Sequence, residues 1–136
     1  MNVLIDSDVL IDFLTGREPF TWNAKELMGK VRENIINAYL APHSITNIFF
    51  ILRKHYSDAE RRRCLIKLCD SVHVAGVDAR IVLNALENTN IDDMEDGLQA
   101  ECAKAVNADY IITRNIKDYV KSEIPAILPE DLLKRI

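Results

Sequence analysis

Residues 3–12 read Val-Leu-Ile-Asp-Ser-Asp-Val-Leu-Ile-Asp, a pattern that predicts an α/β fold. Residues 2–5 form a short β-branched and apolar run that ends at Asp6, which indicates a buried strand with an acid at its carboxyl end. Ser7 or Asp8 can then cap a short helix. The chain therefore opens with a strand that delivers a carboxylate directly before a helix.

Strand-like and helix-like segments alternate along the rest of the chain. The predicted strands are residues 38–41, 72–77, 110–113 and 126–128; the predicted helices are 22–34, 44–55, 58–69, 78–87, 94–106 and one that Pro129 opens. Strands joined by helices form parallel sheets with right-handed crossovers. We therefore predict a three-layer α/β/α fold around a central parallel sheet of four to five strands, with residues 1–136 as one domain.

Composition narrows the class of protein. With 136 residues, 49% of them hydrophobic, the chain fits one globular domain. No stretch approaches the roughly 18 uncharged apolar residues of a membrane helix, and the first residues lack the basic region of a secretory signal. We expect a cytoplasmic protein that does not enter a membrane.

The cysteines and the net charge weigh against further classes of protein. Cys64, Cys69 and Cys102 form neither a CxxC pair nor a group with histidines, so we expect buried small hydrophobes rather than zinc ligands or disulfides. The formal charge of −4 weighs against binding long duplex nucleic acid by bulk electrostatics. Metal ions in an acidic site can nevertheless reverse the local sign of charge and hold a phosphodiester.

Acids are concentrated where the predicted strands end. Asp6 ends the first strand, residues 92–96 crowd a helix start with four acids, and Asp118 follows the strand 110–113 by a short loop. Ligands of parallel sheets gather at the carboxyl ends of the strands. Carboxylates brought together without Lys or Arg partners repel one another, and divalent ions stabilise them. We therefore predict a metal site centred on Asp6 and Asp96.

Several of these residues also have an ordinary structural explanation. Asp8 and Asp93 suit helix caps, and Glu95 suits a solvated acid in a first helical turn. Asn47 is either a satisfied half-buried amide or a neutral contact in the site. Asp118 can close a turn. Asp6 ends an apolar strand, and Asp96 lies a turn inside its helix, just before the apolar Leu98 and Cys102. These two acids are harder to explain by structure alone.

Four segments, in order, resemble the motifs of the PIN-domain family, and the resemblance as a whole extends from Val3 to about Leu133. Residues 3–12 resemble the first motif, with Asp6 as the shared acid and Asp8 where an amide or hydroxyl is more usual. Residues 44–47, Ser-Ile-Thr-Asn, resemble the second motif, which normally carries a Glu where this chain has Asn.

The two later segments complete the resemblance. Residues 93–99, Asp-Met-Glu-Asp-Gly-Leu-Gln, are similar to the third motif of one branch of the family, with Asp96 at the shared metal-ligand position. Residues 113–119, Thr-Arg-Asn-Ile-Lys-Asp-Tyr, resemble the closing motif, in which Asn115 and Asp118 are the polar contributors.

The resemblance implies a Mg²⁺- or Mn²⁺-dependent endoribonuclease that cuts single-stranded or structured RNA. It further implies the toxin of a toxin–antitoxin pair of the VapC kind, dimeric and inhibited by a small antitoxin protein. The expected catalytic residues are Asp6, Asp96 and Asp118; the expected further metal ligands are Asn115, Glu95 and Asp93; the expected substrate contacts are Asp8, Asn47, Thr113 and Arg114. We expect Asp93 or Glu95 to compensate for the Glu that Asn47 replaces.

The sequence is also compatible with two other functions. A catalytically silent PIN-like module that binds RNA or protein would follow if the missing Glu abolished activity. A phosphatase of the haloacid-dehalogenase type would use Asp6 and Asp8 as its nucleophile and acid, but neither its later Lys nor its acidic motif is placed correctly. A phosphate-accepting receiver domain fits less well, because Asp78 and Lys117 are poor matches for its Asp and Lys.

Overall fold

The computed structural model describes residues 1–136 and contains a five-stranded sheet in which every paired strand is parallel. The strands are β1 (Asn2–Ile5), β2 (Asn37–Leu40), β3 (His73–Val74), β4 (Tyr110–Ile112) and β5 (Ala126–Ile127). They are ordered β3-β2-β1-β4-β5, so the first strand lies at the centre. The predicted three-layer fold with a parallel sheet is confirmed.

Seven α-helices and two 3₁₀ turns connect the strands. The helices are α1 (Ser7–Thr15), α2 (Thr21–Arg32), α3 (Pro42–Ile51), α4 (Asp58–Leu68), α5 (Ala79–Glu87), α6 (Met94–Ala105) and α7 (Pro129–Leu133), and the 3₁₀ turns are Leu52–Lys54 and Ile116–Tyr119. Helices α1, α2, α3, α4 and α7 form one connected layer, and α5 packs on α6 in the other. None of the helices is long and apolar enough to span a bilayer.

The central strand contributes to two separate cores. Val3 and Ile5 belong to the core beneath α1–α4, whereas Leu4 belongs to the core beneath α6, and all three are 0% exposed. Successive side chains of a strand point to opposite faces, so a strand covered on both sides is apolar throughout. The unbroken apolar run before Asp6 is the sequence signature of this position.

Two predicted element boundaries were wrong. Asp6, rather than Ser7 or Asp8, caps α1: its backbone is extended, and its Oδ1 accepts a hydrogen bond from the Ser7 N–H at 2.7 Å. The strand predicted at residues 72–77 is limited to His73–Val74, because β2, its only partner in the sheet, ends at Leu40. The other strands and helices lie within a few residues of their predicted bounds.

The cysteine prediction holds for one residue of three. Cys102 is buried in the core beneath α6, as expected. Cys64 is half-buried, and Cys69, the residue that ends α4, is exposed. All three are free thiols.

A buried ion pair ties α1 to the end of β4. Asp12 is 1% exposed and accepts from Nε and Nη2 of Arg114 at 2.7 and 3.3 Å. The guanidinium of Arg114 also lies 3.9 Å from the ring centroid of Phe20, which shields the pair further. Arg17 approaches Asp12 more loosely, at 3.7 Å. The pair therefore fixes the chain after β4 against the first helix.

We expect Asp12→Ala to destabilise the protein by about 3 kcal/mol, because removing one partner of a buried pair leaves an uncompensated charge. The matched control is Asp58→Ala: the Arg62–Asp58 pair has the same 2.7 Å distance but is exposed on α4. That control should change stability little. Urea denaturation measures both, and similar losses in the two variants would contradict the importance of burial.

Candidate active site

An open acidic cleft of about 390 Å³ lies at the carboxyl edge of the sheet, where β1 and β4 end. Its walls come from the start of α1, from α3, from the start of α6 and from the chain after β4. Its polar lining residues are Asp6, Ser7, Asp8, Arg17, Asn47, Glu95, Asp96 and Asn115. The cleft thus brings together six of the residues predicted for the site.

Four polar groups surround the Asp6 carboxylate. Its Oδ1 accepts from the Ser7 N–H at 2.7 Å and from Nε2 of Gln99 at 3.2 Å. Its Oδ2 accepts from the Thr113 hydroxyl at 2.9 Å and lies 3.2 Å from the Tyr119 hydroxyl. A carboxylate has about four acceptor positions, and each of these groups faces one of them. Asp6 therefore has a single fixed orientation.

The Tyr119 hydroxyl stands between the two central acids. It lies 3.2 Å from Oδ2 of Asp6 and 3.2 Å from Oδ1 of Asp96, and the residue is only 2% exposed. A phenol has one proton to donate. When both carboxylates are ionised, one of these two contacts lacks a proton. The arrangement calls for a further proton or a cation beside Asp6 and Asp96.

Asp8 anchors the segment that follows β4. Its Oδ1 accepts from the N–H of Val9 at 2.7 Å, and its Oδ2 accepts from the N–H of Arg114 at 3.0 Å and from Nδ2 of Asn115 at 3.2 Å. The carboxylate lies in the cleft, where a substrate contact was predicted. Its contacts show that it also holds Asn115 at the rim.

Asn47 and Glu95 meet across the cleft. Nδ2 of Asn47, on α3, donates a hydrogen bond to Oε1 of Glu95, on α6. Asp93 is the N-cap of α6, and its Oδ1 accepts from the N–H groups of Glu95 and Asp96 at 2.8 and 3.1 Å. The capping role considered for Asp93 is confirmed. The cap sets the direction in which the next two acids leave the helix.

Burial and crowding disfavour the ionised acids. Desolvation raises the pKa of Asp6, and desolvation together with the charge of Asp6 raises the pKa of Asp8 to about 6. Desolvation, followed by repulsion from Asp93, raises the pKa of Asp96 to about 6; Asp118 and Asp6 add to this repulsion. The cleft therefore holds more negative charge than its own basic groups neutralise.

Asp118 does not line this cleft, and its catalytic role stays a prediction. It is exposed in the 3₁₀ turn and lines a neighbouring cavity of about 250 Å³ that also contains Asp93, Lys117 and Lys121. The turn directs the next residue, Tyr119, toward the buried acids instead. Asp96 lines both cavities. No three carboxylate, imidazole or thiol groups of the chain converge to hold one ion.

Thr113 and Arg114 support the site from behind rather than facing the cleft. Thr113 is 0% exposed, donates to Asp6 and accepts from the Asn115 N–H at 3.0 Å. The Arg114 guanidinium is engaged by Asp12. Burial and the ion pair keep both side chains out of the lining of the cleft, and their predicted phosphate contacts stay a prediction.

Sequence reasoning missed Gln99, Tyr119 and Arg17 as parts of the site. Gln99 is detectable, because it follows Asp96 by three residues and therefore lies on the same face of α6. Tyr119 carries no such signal, since a buried aromatic residue after a turn is ordinary core. Arg17 follows the Gly16 turn at the end of α1 and is the one basic residue that lines the cleft.

The raised pKa of Asp96 predicts how the stability of the metal-free protein depends on pH. The pKa of Asp96 is about 6 in the folded state, and it is about 3.9 in the unfolded chain. Because the folded state binds the proton more tightly, stability falls as the pH rises through this window and stays lower above it.

Asp96→Asn should remove part of that loss. In EDTA we expect the Tm of the variant to exceed that of the wild type by about 2–4 °C at pH 7.5, after allowance for the partial exposure of the side chain. At pH 4 we expect no gain. Thermal unfolding followed by circular dichroism measures both. An equal or lower Tm at pH 7.5 would contradict the electrostatic account.

Fold and cleft together define a three-layer α/β/α protein with an acidic site at the carboxyl edge of its parallel sheet. The family model described as PIN domain matches residues 2–117. The chain belongs to the PIN-domain family, and the resemblance drawn from the four motifs is confirmed. A search of curated protein sequences finds no match.

Solved structures of other proteins share the fold. VapBC-1 from nontypeable Haemophilus influenzae has a TM-score of 0.71 at 15% identity, over 96% of this chain and 99% of that chain. VapBC2 from Rickettsia felis, bound to a DNA fragment from its promoter, has a TM-score of 0.68 at 15% identity, over 93% and 96%. VapC20 from Mycobacterium tuberculosis, a sarcin-ricin loop cleaving toxin, has a TM-score of 0.63 at 12% identity, over 80% and 86%. At such identities the similarity shows the fold alone.

Proposed function

We propose that this PIN-domain protein is a metal-dependent endoribonuclease that hydrolyses RNA phosphodiester bonds and is the toxin of a toxin–antitoxin pair. One observation carries the proposal: two acids with raised pKa, Asp6 and Asp96, share a single hydroxyl proton in an open cleft. Such an arrangement is costly for folding. A cation in the cleft, alone or together with a phosphodiester, would offset this cost.

The donor chemistry of the cleft fits Mg²⁺ or Mn²⁺. Magnesium usually binds through one or two carboxylates and completes its shell with water and substrate phosphate, so Asp6 and Asp96 suffice. Asn115, Asp118 and Asp93 would act from further out, through water. When bound, the ion lowers the pKa of a water molecule and offsets the charge of the phosphate.

The chain itself fixes the two ligands for this task. The Ser7 N–H, Gln99 and Thr113 hold Asp6 in one orientation whatever the other acids do. Because four polar groups surround Asp6, ion binding requires one of them to move away. The Tyr119 contact is the natural one to yield, since at 3.2 Å it is among the longest and it is shared with Asp96.

Glu95 provides the compensation for the Glu that the family has at position 47. Asn47 cannot supply a negative charge, but its amide binds the Glu95 carboxylate and holds it on the α3 side of the cleft. Asp93 is occupied as a cap. We therefore place the replacement charge on Glu95 rather than on Asp93, with Asp8 as a further acid at the substrate side.

The proposed partners are single-stranded or structured RNA, a small antitoxin protein and a second copy of the chain as a homodimer, in the cytoplasm. Similar folds in VapBC complexes and in a toxin described as cleaving the sarcin-ricin loop support these partners.

A phosphatase that uses Asp6 as nucleophile is not supported. The chain belongs to the PIN-domain family, and both Asp6 oxygens face hydrogen-bond donors. A silent binding module is the second candidate, favoured by Asn47 and by the lack of three converging ligands.

Calorimetry with MgCl₂ and MnCl₂, run beside cleavage of a mixed-sequence single-stranded RNA, separates the two candidates. For Asp6→Asn and Asp96→Asn we expect metal affinity to fall at least about 10-fold and cleavage at least about 100-fold, because each removes a direct ligand. Asp70→Asn, an exposed acid after α4 and outside the cleft, is the control and should match the wild type.

Loss of cleavage and metal binding in both site variants, with a normal Asp70→Asn protein, establishes the nuclease. No metal binding and no cleavage by the wild type would favour the silent module. Cleavage that persists in Asp96→Asn would remove Asp96 from the mechanism.

A further inference from the structure

One large aromatic side chain stands unprotected at the rim of the acidic cleft. Phe50, near the end of α3, is 60% exposed and is part of the cleft lining. The same helix buries its apolar face through Ile48, and the following Leu52 is also fully buried. The exposed ring is therefore not needed to pack α3 on the domain.

The ring is held in place from one side by a cation. The guanidinium carbon of Arg53 lies 3.6 Å from the centroid of the Phe50 ring, and Nη1 of Arg53 donates to the Phe50 carbonyl at 2.9 Å. A stacked guanidinium covers only one face of a ring. The high exposure of Phe50 and its position on the cleft leave a second, flat apolar surface open.

Arg17 supplies a positive charge on the same cleft. Its side chain is 45% exposed, and its one ion-pair contact is a 3.7 Å approach of Nε to Asp12. Asp12 is already held by two nitrogens of Arg114. The terminal nitrogens of Arg17 therefore remain available, and a guanidinium is well suited to a phosphate group.

We propose that Phe50, backed by Arg53, is a stacking platform for one unpaired base of the RNA substrate, and that Arg17 binds a neighbouring phosphate. The inference rests on the proposed nuclease function and adds the residues that select the substrate. Stacking on aromatic rings and on guanidinium planes is how proteins bind bases of single strands. With a net charge of −4, the chain needs such local contacts to hold an anionic strand.

The platform also defines the kind of substrate. A base that lies on Phe50 has left its own helical stack, so the strand at the cleft is a loop, a bulge or a single strand rather than a continuous duplex. Stacking tolerates every base, because each has a flat face. Phe50 thus selects for unpaired structure, and base identity has to be read by other contacts.

The test is fluorescence anisotropy with a short labelled single-stranded RNA in MgCl₂, using an Asp96→Asn background to suppress cleavage. Phe50→Ala should raise Kd about 10-fold, the effect expected for losing one stacked base. Phe50→Tyr should return Kd to the value of the parent. Trp22→Ala is the matched control: Trp22 is 64% exposed on α2 and does not line the cleft. Its Kd should be unchanged.

Arg17→Ala should weaken binding and lower the slope of log Kd against log salt by about 0.7, the value for one phosphate contact to a single strand. Phe50→Ala should leave that slope unchanged. A blunt duplex of the same sequence should bind more weakly, with no difference between Phe50→Ala and its parent. An equal salt slope in Arg17→Ala and its parent would overturn the phosphate assignment.

A second readout does not depend on truncating the ring. In Phe50→Trp combined with Trp22→Phe, the tryptophan at position 50 should be quenched when RNA binds. Unchanged fluorescence, unchanged Kd in Phe50→Ala, or an equal loss in Trp22→Ala would each overturn the stacking platform. If Phe50 instead binds a protein, Phe50→Ala should leave the Kd for RNA unchanged.

Cleavage kinetics in the unmodified background separate this inference from the proposed function. If the wild type cleaves RNA and Phe50→Ala keeps both its KM and its kcat, the platform is wrong and the nuclease stands. If KM rises about 10-fold while kcat is kept, both stand. If the wild type neither binds nor cleaves RNA, both are wrong.

Discussion

The carboxylate of Asp6 holds together the start of α1, helix α6 and the segment after β4, across up to 113 positions of the sequence. It caps α1 through Ser7 and accepts hydrogen bonds from Gln99 on α6, from Thr113 after β4 and from Tyr119 in the 3₁₀ turn. A hydrogen bond to a charged group contributes about 1.5–3 kcal/mol. The pKa of Asp6 is nevertheless raised, so the cost of burying the charge exceeds what these donors return. The centre of the cleft is rigid but electrostatically incomplete.

The neighbouring ion pair engages the arginine that stands next to the cleft. Arg114 follows Thr113 directly, and its charge acts to lower the pKa of Asp8, which desolvation and Asp6 nevertheless raise to about 6. Asp12 holds the guanidinium of Arg114 with two hydrogen bonds. Arg17 is then the only basic side chain on the cleft, at its rim. The floor of the cleft has too little positive charge for its acids, and a single arginine stands at its edge. This distribution of charge suits a site that a cation and an anionic strand complete.

Much of this arrangement could be predicted from local pattern, and the remainder depends on contacts that local pattern does not encode. The alternation of short apolar runs with amphipathic segments predicts a parallel sheet, and the rule that ligands gather at carboxyl strand ends brings Asp6 and Asp96 together. Which residue of a 3₁₀ turn faces inward depends on how the turn meets the core. The sequence therefore does not show that Tyr119, rather than Asp118, contacts Asp6 and Asp96. The Asp12–Arg114 pair joins residues that are 102 positions apart, and no local sequence pattern predicts such a pair.

We propose that Asp6 and Asp96 form one cation site, whose two carboxylates the Tyr119 hydroxyl bridges in the absence of metal. A crystal structure of the protein soaked in MnCl₂, with anomalous data collected near the manganese edge, tests it directly. We expect an anomalous peak in contact with the carboxylates of both acids, with the Tyr119 hydroxyl displaced from at least one of them. Manganese bound elsewhere, with the Tyr119 bridge intact and no peak between the two acids, would contradict the claim.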